Sequence, residues 1–383
     1  MDYLLEGTRL LFDFSNGGWK SMVMITIGIL LIWLAIKKEY EPALLLPMGF
    51  GTILVNLPFS GVLNQTIGEI QSLGIIQWLF DLGINASEAM PILLFIGIGA
   101  MIDFGPLLAN PLLFLPGAGA QFGIFAAIFL ASILGFTIRD SAAIGIIGAA
   151  DGPTSILVSQ MLNSKYTGPI AVAAYSYMAL VPIIQPTAIK LVTTKKERTI
   201  HMKYHPKNIS KKLRILFPIV ATIIIGLIAP QSISLVGFLM FGNLIRECGV
   251  LGTMSETAQN QLTNLITLLL GITISFRMQA NDFLVIETLL IMLIGLFAFV
   301  TDTVAGVFLV KFMNLFLKKK INPMIGGAGI SAFPMSSRVI QKLAFAEDNT
   351  NVLIMHAVGA NVSGQIASVV AGGLVIRLAS QFL

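Results

Sequence analysis

Long apolar runs follow one another along most of the chain, separated by short polar breaks. They cover Met22–Ile36, Ala43–Leu57, Pro91–Leu108, Gly123–Thr137, Ala142–Leu162 and Pro169–Val192. A polar, basic stretch follows, then Ile215–Ile228, Ser232–Leu244, Leu262–Ser275, Phe283–Leu309 and Val352–Ile376. About 20 apolar residues span a bilayer as an α-helix, and about nine to eleven crossings fit this pattern. None of the runs alternates apolar with polar residues as barrel strands do. The pattern predicts an all-α polytopic membrane protein. Met22–Ile36 follows "GGWKS" without a small-residue cleavage site, so it reads as a retained helix rather than a signal peptide.

The loops do not alternate sides unless one or two segments turn back within the membrane. "NPMIGGAGISAFP", Asn322–Pro334, is the best candidate. Irregular backbone at membrane depth is tolerated only where protein or water covers it.

The two halves repeat one another. "NPLLFLPGAGAQF" (Asn110–Phe122) resembles "NPMIGGAGISAF" (Asn322–Phe333), and each precedes an apolar helix, a polar loop and a second apolar helix. That last helix carries "GAADGPTSI" (Gly148–Ile156) in one half and "VGANVSGQI" (Val358–Ile366) in the other. The interval from Gly117 to Asp151 equals that from Gly327 to Asn361, so Asp151 pairs with Asn361 and Gln121 with Ser331. Paired, interrupted hydrophobic segments mark transporter folds built from two structural repeats, often inverted, with an ion site between them. The expected architecture is therefore transporter-like, of the elevator type, with broken or re-entrant helices. The expected organisation is N-terminal scaffold helices over 1–89, a first repeat over 90–192, a basic cytoplasmic loop over 193–214, further scaffold helices over 215–300 and a second repeat over 301–383.

Composition agrees. Hydrophobic residues make up 56% and charged residues 11%, with a mean hydropathy of +0.87, where a soluble domain carries about 25% charged residues. The net charge of +5 is concentrated in Lys190–Arg214, Lys318–Lys320 and "KKEYE". Glu69–Glu88 carries only acidic charges. The positive-inside rule puts the basic loops in the cytoplasm, against anionic lipid, and the acidic stretch outside. No nucleic-acid partner is expected. The single Cys248 excludes an intrachain disulfide framework. Three His, two of them in the basic loop, argue against a His-built metal site.

Candidate chemistry centres on Asp151. An unpaired carboxylate at membrane depth is costly. Gly152 and Pro153 free backbone carbonyls beside it, and Thr154 and Ser155 add hydroxyls. One carboxylate with neutral oxygens suits Na+, whose charge it cancels, whereas Ca2+ wants more carboxylates. Asn361, with Ser363 and Gln365, offers further neutral oxygens. The competing reading of Asp151 is a helix cap, which needs no repeat partner. Tyr177, with Tyr175 two residues before it, lies mid-helix; its phenol suits proton donation or ion ligation, or else the membrane interface. Arg338 follows a Ser-rich turn and suits a carboxylate or carbamate bidentately, with Ser331, Ser336 and Ser337 as neutral donors. It would otherwise be a snorkelling anchor. Asp103 and Asp302 are further intramembrane acids, as core groups or, for Asp302, a second cation or proton path. His356 is read as a packing residue. There is no GxxxxGK[ST], CxxC, HExxH or GxSxG motif, so any energy for transport comes from an ion gradient or from chemistry done with a partner.

"DFGPLLANP", "GAADGPTSI", "AYSYMALVPIIQP", "NPMIGGAGISAFPMSSRV" and "HAVGANVSGQIAS", in this order, resemble the β subunits of the Na+-pumping, biotin-dependent decarboxylases. The resemblance covers Pro91 to the C-terminus and is weak before it. It implies a membrane subunit that decarboxylates carboxybiotin, consumes a proton and exports Na+. It assigns Asp151 to Na+ and singles out Tyr177, Asn322, Gly326, Ser331, Arg338 and Asn361. Carboxybiotin would arrive on a biotin carrier, from a carboxyltransferase α subunit, beside a small γ or δ membrane subunit and in a homo-oligomer. The setting would be a bacterial or archaeal cytoplasmic membrane. The shorter length is more like the acyl-CoA than the oxaloacetate type. Against this stand a Na+-coupled transporter of an organic anion, which the repeats fit equally well, and a purely structural anchor, which needs no matched Asp151 and Asn361.

Overall fold

A computed structural model describes residues 2–13, 17–39, 42–67, 70–86, 88–202 and 209–381. Part of the basic stretch, 203–208, and Glu69 of the acidic stretch lie outside these. We number the principal helices α1 (Gly18–Lys38), α2 (Pro42–Asn56), α3 (Ala89–Met101), α4 (Phe122–Ile133), α5 (Gly152–Met161), α6 (Thr167–Val192), α7 (Lys211–Ile228), α8 (Ile233–Cys248), α9 (Thr263–Ile274), α10 (Ile286–Phe316), α11 (Met335–Glu347) and α12 (Ile354–Ser380). A small antiparallel pair, Gln65–Ile67 with Ile70–Ser72, interrupts the helices. Among the described residues, five helices are long and apolar enough to cross a membrane, or up to seven if each of two bent pairs is one span. Fewer than the expected crossings meet that test because several apolar runs are short or broken.

The breaks have local causes. The run holding Asp151 is helical over Ile138–Gly145, tightens to a 3-10 turn over Ile146–Ala149 and stops at Ala150, which is left-handed with φ 51°. Asp151 is extended, and α5 restarts at Gly152 with Pro153 in its first turn, where the missing N–H costs nothing. α6 is bent by 69° between Met178 and Leu180. Pro182 has no N–H to offer the Met178 carbonyl one turn back, which accounts for the bend. The second half departs from the expected symmetry. α12 runs unbroken through Asn361, because no proline follows it. Residues 111–133 likewise form one apolar element, whereas their counterpart after Asn322 is a short helix, Met324–Gly327, then a turn, then α11.

The segment from Asn322 to α11 turns back on itself. Asn322 Nδ2 donates to the Arg198 and Ile200 carbonyls at 2.8 and 2.9 Å, and its Oδ1 accepts from Met324 N–H at 3.0 Å. At the other end Glu347 pairs with Arg198 Nε at 2.7 Å, and Asn351 Nδ2 donates to the same two carbonyls at 3.3 Å. Both feet of the hairpin therefore stand on the strip 198–200.

Side chains pack into two clusters. One joins α1, α2 and α9 through Met24, Leu45, Met48, Ile266 and Leu270. The larger gathers α4, α6, α8, α10, α11 and α12 around Ile124, Ile147, Phe299, Met324 and Val369. Within it Gly306 of α10 and Gly326 of the hairpin lie backbone to backbone, and a Cβ on either would overlap the other's carbonyl oxygen.

Three outcomes follow from this packing. Gly306→Ala forces two backbones apart and lowers stability by about 1–3 kcal/mol, read as a lower melting temperature in detergent. Asn322→Ala removes two donors to the strip at a cost of roughly 1–3 kcal/mol and speeds tryptic cleavage at Lys195, Lys196 and Arg198 with helix content unchanged. Asp348 accepts the Thr350 hydroxyl at 2.7 Å and its N–H at 2.9 Å and faces the His201 ring at 2.8 Å, and these contacts hold its carboxyl down to about 2. A depressed acid stabilises the fold fully above its ordinary value of 3.8 and loses that contribution as pH falls through 2. NMR titration of the Asp348 carboxyl carbon should therefore show a midpoint near 2, and Thr350→Ala should raise it.

Candidate functional site

The break before α5 leaves the Asp151 carboxylate inside the protein, 3% exposed. Thr154 Oγ1 donates to its Oδ2 at 2.6 Å, Gln365 Nε2 at 3.1 Å and Ser368 Oγ at 3.4 Å. Ser155 Oγ donates to the Asp151 backbone carbonyl at 2.8 Å. Among the described residues no Lys, Arg or His forms an ion pair with it. A buried carboxylate surrounded only by neutral donors is short of positive charge. No cluster of three His, Cys, Asp or Glu occurs among the described residues. The carboxylate is thus surrounded by two hydroxyls and an amide, all hard and neutral, around a single acid, which fits a monovalent cation better than a transition metal.

Asp151 lines a cavity of about 260 Å3 with Pro153, Tyr175, Ser331, Pro334 and Gln365. Its opposite wall comes from α2, α3 and α9, through Leu44, Leu94 and Thr267. The cavity therefore sits where the two packing clusters meet. A larger concavity, about 640 Å3, lies between α4 and α10, but it is lined by Phe122, Phe125, Phe308 and Phe312 and holds no titratable group.

The expected residues divide. Thr154 is bonded to Asp151, and Ser331 lines the cavity with its N–H at 3.2 Å and Oγ at 2.6 Å from the Ala149 carbonyl. Asn361 is one step away: its Nδ2 donates to the Ile330 carbonyl at 2.7 Å, and its buried Oδ1 has no hydrogen-bond partner among the described residues. Ser363 is directed elsewhere, donating to the Phe114 carbonyl at 2.9 Å. Tyr177 is 5% exposed and donates to the Met292 carbonyl of α10. Asn322 is occupied at the hairpin's foot, and Gly326 lies against Gly306. Arg338 is exposed on α11, four residues beyond the Pro334 that lines the cavity. Asp302 lies apart, fully buried, and accepts the Gly123 N–H at the start of α4.

Two residues at the carboxylate were not singled out from the sequence. Ser368 shares a helix face with Asn361 and Gln365, at i, i+4 and i+7, whereas Ser363 is off that face. Helical spacing along the last apolar run was the available signal. Tyr175, not Tyr177, lines the cavity, because two residues along a helix are about 200° apart.

Comparison with known proteins identifies the family. The family model described as Na+-transporting oxaloacetate decarboxylase beta subunit matches residues 20–379. The match begins well before Pro91, where the resemblance read from motifs stopped. The chain is 47% identical to the methylmalonyl-CoA decarboxylase subunit beta of Propionigenium modestum, over 94% of each chain. It is 48% identical to the protein of that name in Veillonella parvula, over 94% of this chain and 93% of the other. The oxaloacetate decarboxylase beta chain of Klebsiella pneumoniae is 42% identical over 98% of each.

Proposed function

The chain belongs to the family of Na+-transporting oxaloacetate decarboxylase β subunits, and from that premise we propose that it decarboxylates carboxybiotin and couples this step to Na+ export. One observation carries the site assignment: a buried carboxylate, Asp151, has three neutral donors and no cationic partner among the described residues, in a cavity where the two side-chain clusters meet.

In this reading Na+ reaches Asp151 from the cytoplasmic side, and the ion and the carboxylate cancel in charge. Thr154 turns an oxygen lone pair to the ion, and Gln365 steadies the carboxylate through its Nε2. Ser331 and Asn361, whose Oδ1 has no hydrogen-bond partner among the described residues, are the next candidate ligands, whereas Ser363 is held by the Phe114 carbonyl. Carboxybiotin, carried by a partner, approaches by the hairpin between Asn322 and Arg338. The exposed guanidinium of Arg338 suits its carboxylate, with two parallel hydrogen bonds. The N–C bond breaks, CO2 leaves, and the ureido nitrogen takes a proton, since an unprotonated ureido anion is a poor leaving group. The resemblance gives that proton to Tyr177. The position of the cavity between the clusters supports a rigid-body movement of one bundle against the other to release Na+ outside. We further propose the remaining partners to be a carboxyltransferase α subunit, a biotin carrier, a small γ or δ subunit and further copies of this chain. The membrane is that of a bacterium or archaeon. The higher identity to the two methylmalonyl-CoA relatives supports an acyl-CoA rather than an oxaloacetate complex.

The test is CO2 release from carboxybiotin by the reconstituted complex as Na+ is varied. Removing the one charge that neutralises a buried cation costs about 3–5 kcal/mol, so Asp151→Asn should raise the Na+ midpoint by at least about 100-fold. An Asp151→Asn protein with the wild-type Na+ midpoint would sink the site assignment. Wild-type protein that moves Na+ without releasing CO2 would instead make it a transporter.

A further inference from the structure

The wall opposite Asp151 carries polar groups of unassigned role. α9 contributes Thr263, Asn264 and Thr267 to the cavity. They belong to the apolar span Gly252–Met278, and Asn264 stands near its middle, 12 residues from the first and 14 from the last. Thr263 Oγ1 donates to the Ala258 carbonyl at 2.9 Å and is satisfied within the helix. Asn264 and Thr267, one turn apart, donate no hydrogen bond to any described residue. Asn264 is exposed, Thr267 is half-buried, and the Thr267 hydroxyl keeps accessible surface. At mid-membrane depth lipid offers a bare carboxamide nothing to bond, so the pair is placed to meet a ligand. Around it the lining is apolar, with Leu94, Ile98, Met101, Met178 and Phe333. At about 260 Å3 the cavity lies just under the range of about 300–1,000 Å3 that holds drug-sized ligands. Such a box, with one carboxamide and one hydroxyl at i and i+3 of a single helix, suits a small fused ring that is apolar except for one amide-like edge. It does not suit a second cation, since Asp151 is the only acid among the described residues that line it.

We propose that Asn264 and Thr267 form the subsite that holds the ureido ring of carboxybiotin. The inference rests on the decarboxylase reading above and adds a wall to its site. A cyclic urea presents a carbonyl oxygen and, in carboxybiotin, one remaining N–H. The Asn264 carboxamide matches that edge: its Nδ2 donates to the carbonyl and its Oδ1 accepts the N–H. The Thr267 hydroxyl donates to the second lone pair of the same oxygen. The carboxylated nitrogen has no N–H, so the pairing works only with the other edge of the urea. The ring is therefore seated with its carboxyl group turned away from α9, toward the wall of Ser331 and Asp151. The thioether ring lies against Met101, Met178 and Phe333. α9 thus sets which nitrogen faces the ion.

The experiment measures CO2 release by the complete complex in proteoliposomes, with carboxybiotin and Na+ varied separately. Asn264→Ala should raise KM for carboxybiotin about 10–100-fold, the loss of a hydrogen-bonded pair, with kcat within about threefold and the Na+ midpoint unchanged. Desthiobiotin, which keeps the ureido ring and lacks the thioether ring, is the second probe. It should compete with carboxybiotin on the wild-type complex and lose potency by the same factor on Asn264→Ala. Thr267→Val, nearly the same shape, should raise KM by about 3–10-fold and decides the matter if Asn264→Ala does not assemble. A wild-type KM in Asn264→Ala, or in Thr267→Val where the first variant does not assemble, overturns the proposal. So does a raised Na+ midpoint with KM unchanged, which would make α9 part of the cation site. Wild-type protein that releases no CO2 in the presence of Na+ overturns the decarboxylase reading itself, whatever Asn264 does.

Discussion

The Asp151 carboxylate, buried in an apolar bundle with no basic partner among the described residues, is the constraint around which this fold is arranged. The penalty for Asp151 is set by what surrounds it, and neutral donors lower that penalty without removing it. The helix stops at the left-handed Ala150 and restarts at Gly152 with Pro153 in its first turn, which brings the Thr154 hydroxyl to the carboxylate. α12 then brings Gln365 and Ser368 to the same oxygen. The cavity lies where the two side-chain clusters meet, at helices α3, α5 and α6, which place residues in both.

Much of this was legible in the chain. The multi-pass helical character and the break at Asp151 follow from apolar run lengths and from a Gly-Pro pair, both local properties. The Asn322 hairpin was legible for the same reason. The N-terminal helices were recognisable as membrane helices but lacked motifs, so their membership of the family emerged only when residues 20–379 were compared as a whole.

What was not legible depended on packing across sequence distance. Asn361 pairs with Asp151 by interval, and that suggested a second broken helix; without a proline the backbone had no reason to stop. Ser363 lies two residues from Asn361 and therefore faces the Phe114 carbonyl instead of the carboxylate. The choice between Tyr175 and Tyr177 turns on which face of α6 meets α5, and nothing within α6 itself specifies it. Asn322 resembles a ligand-binding position by motif, while its amide is spent on the backbone of the strip 198–200.

The strip 198–200 ties the two ends of the hairpin together mechanically. Two asparagines from opposite feet of one hairpin, Asn322 and Asn351, share the Arg198 and Ile200 carbonyls, and Glu347 clamps the Arg198 side chain. Such a footing resists hinging, since lifting either foot strains the bonds of the other. The hairpin and the polar strip thus behave as one stiff handle, with Ser331 at its inner end against the Ala149 carbonyl and Arg198 at its outer end. A force applied to the strip is carried through the hairpin to the Ala149 carbonyl, two residues from the buried carboxylate.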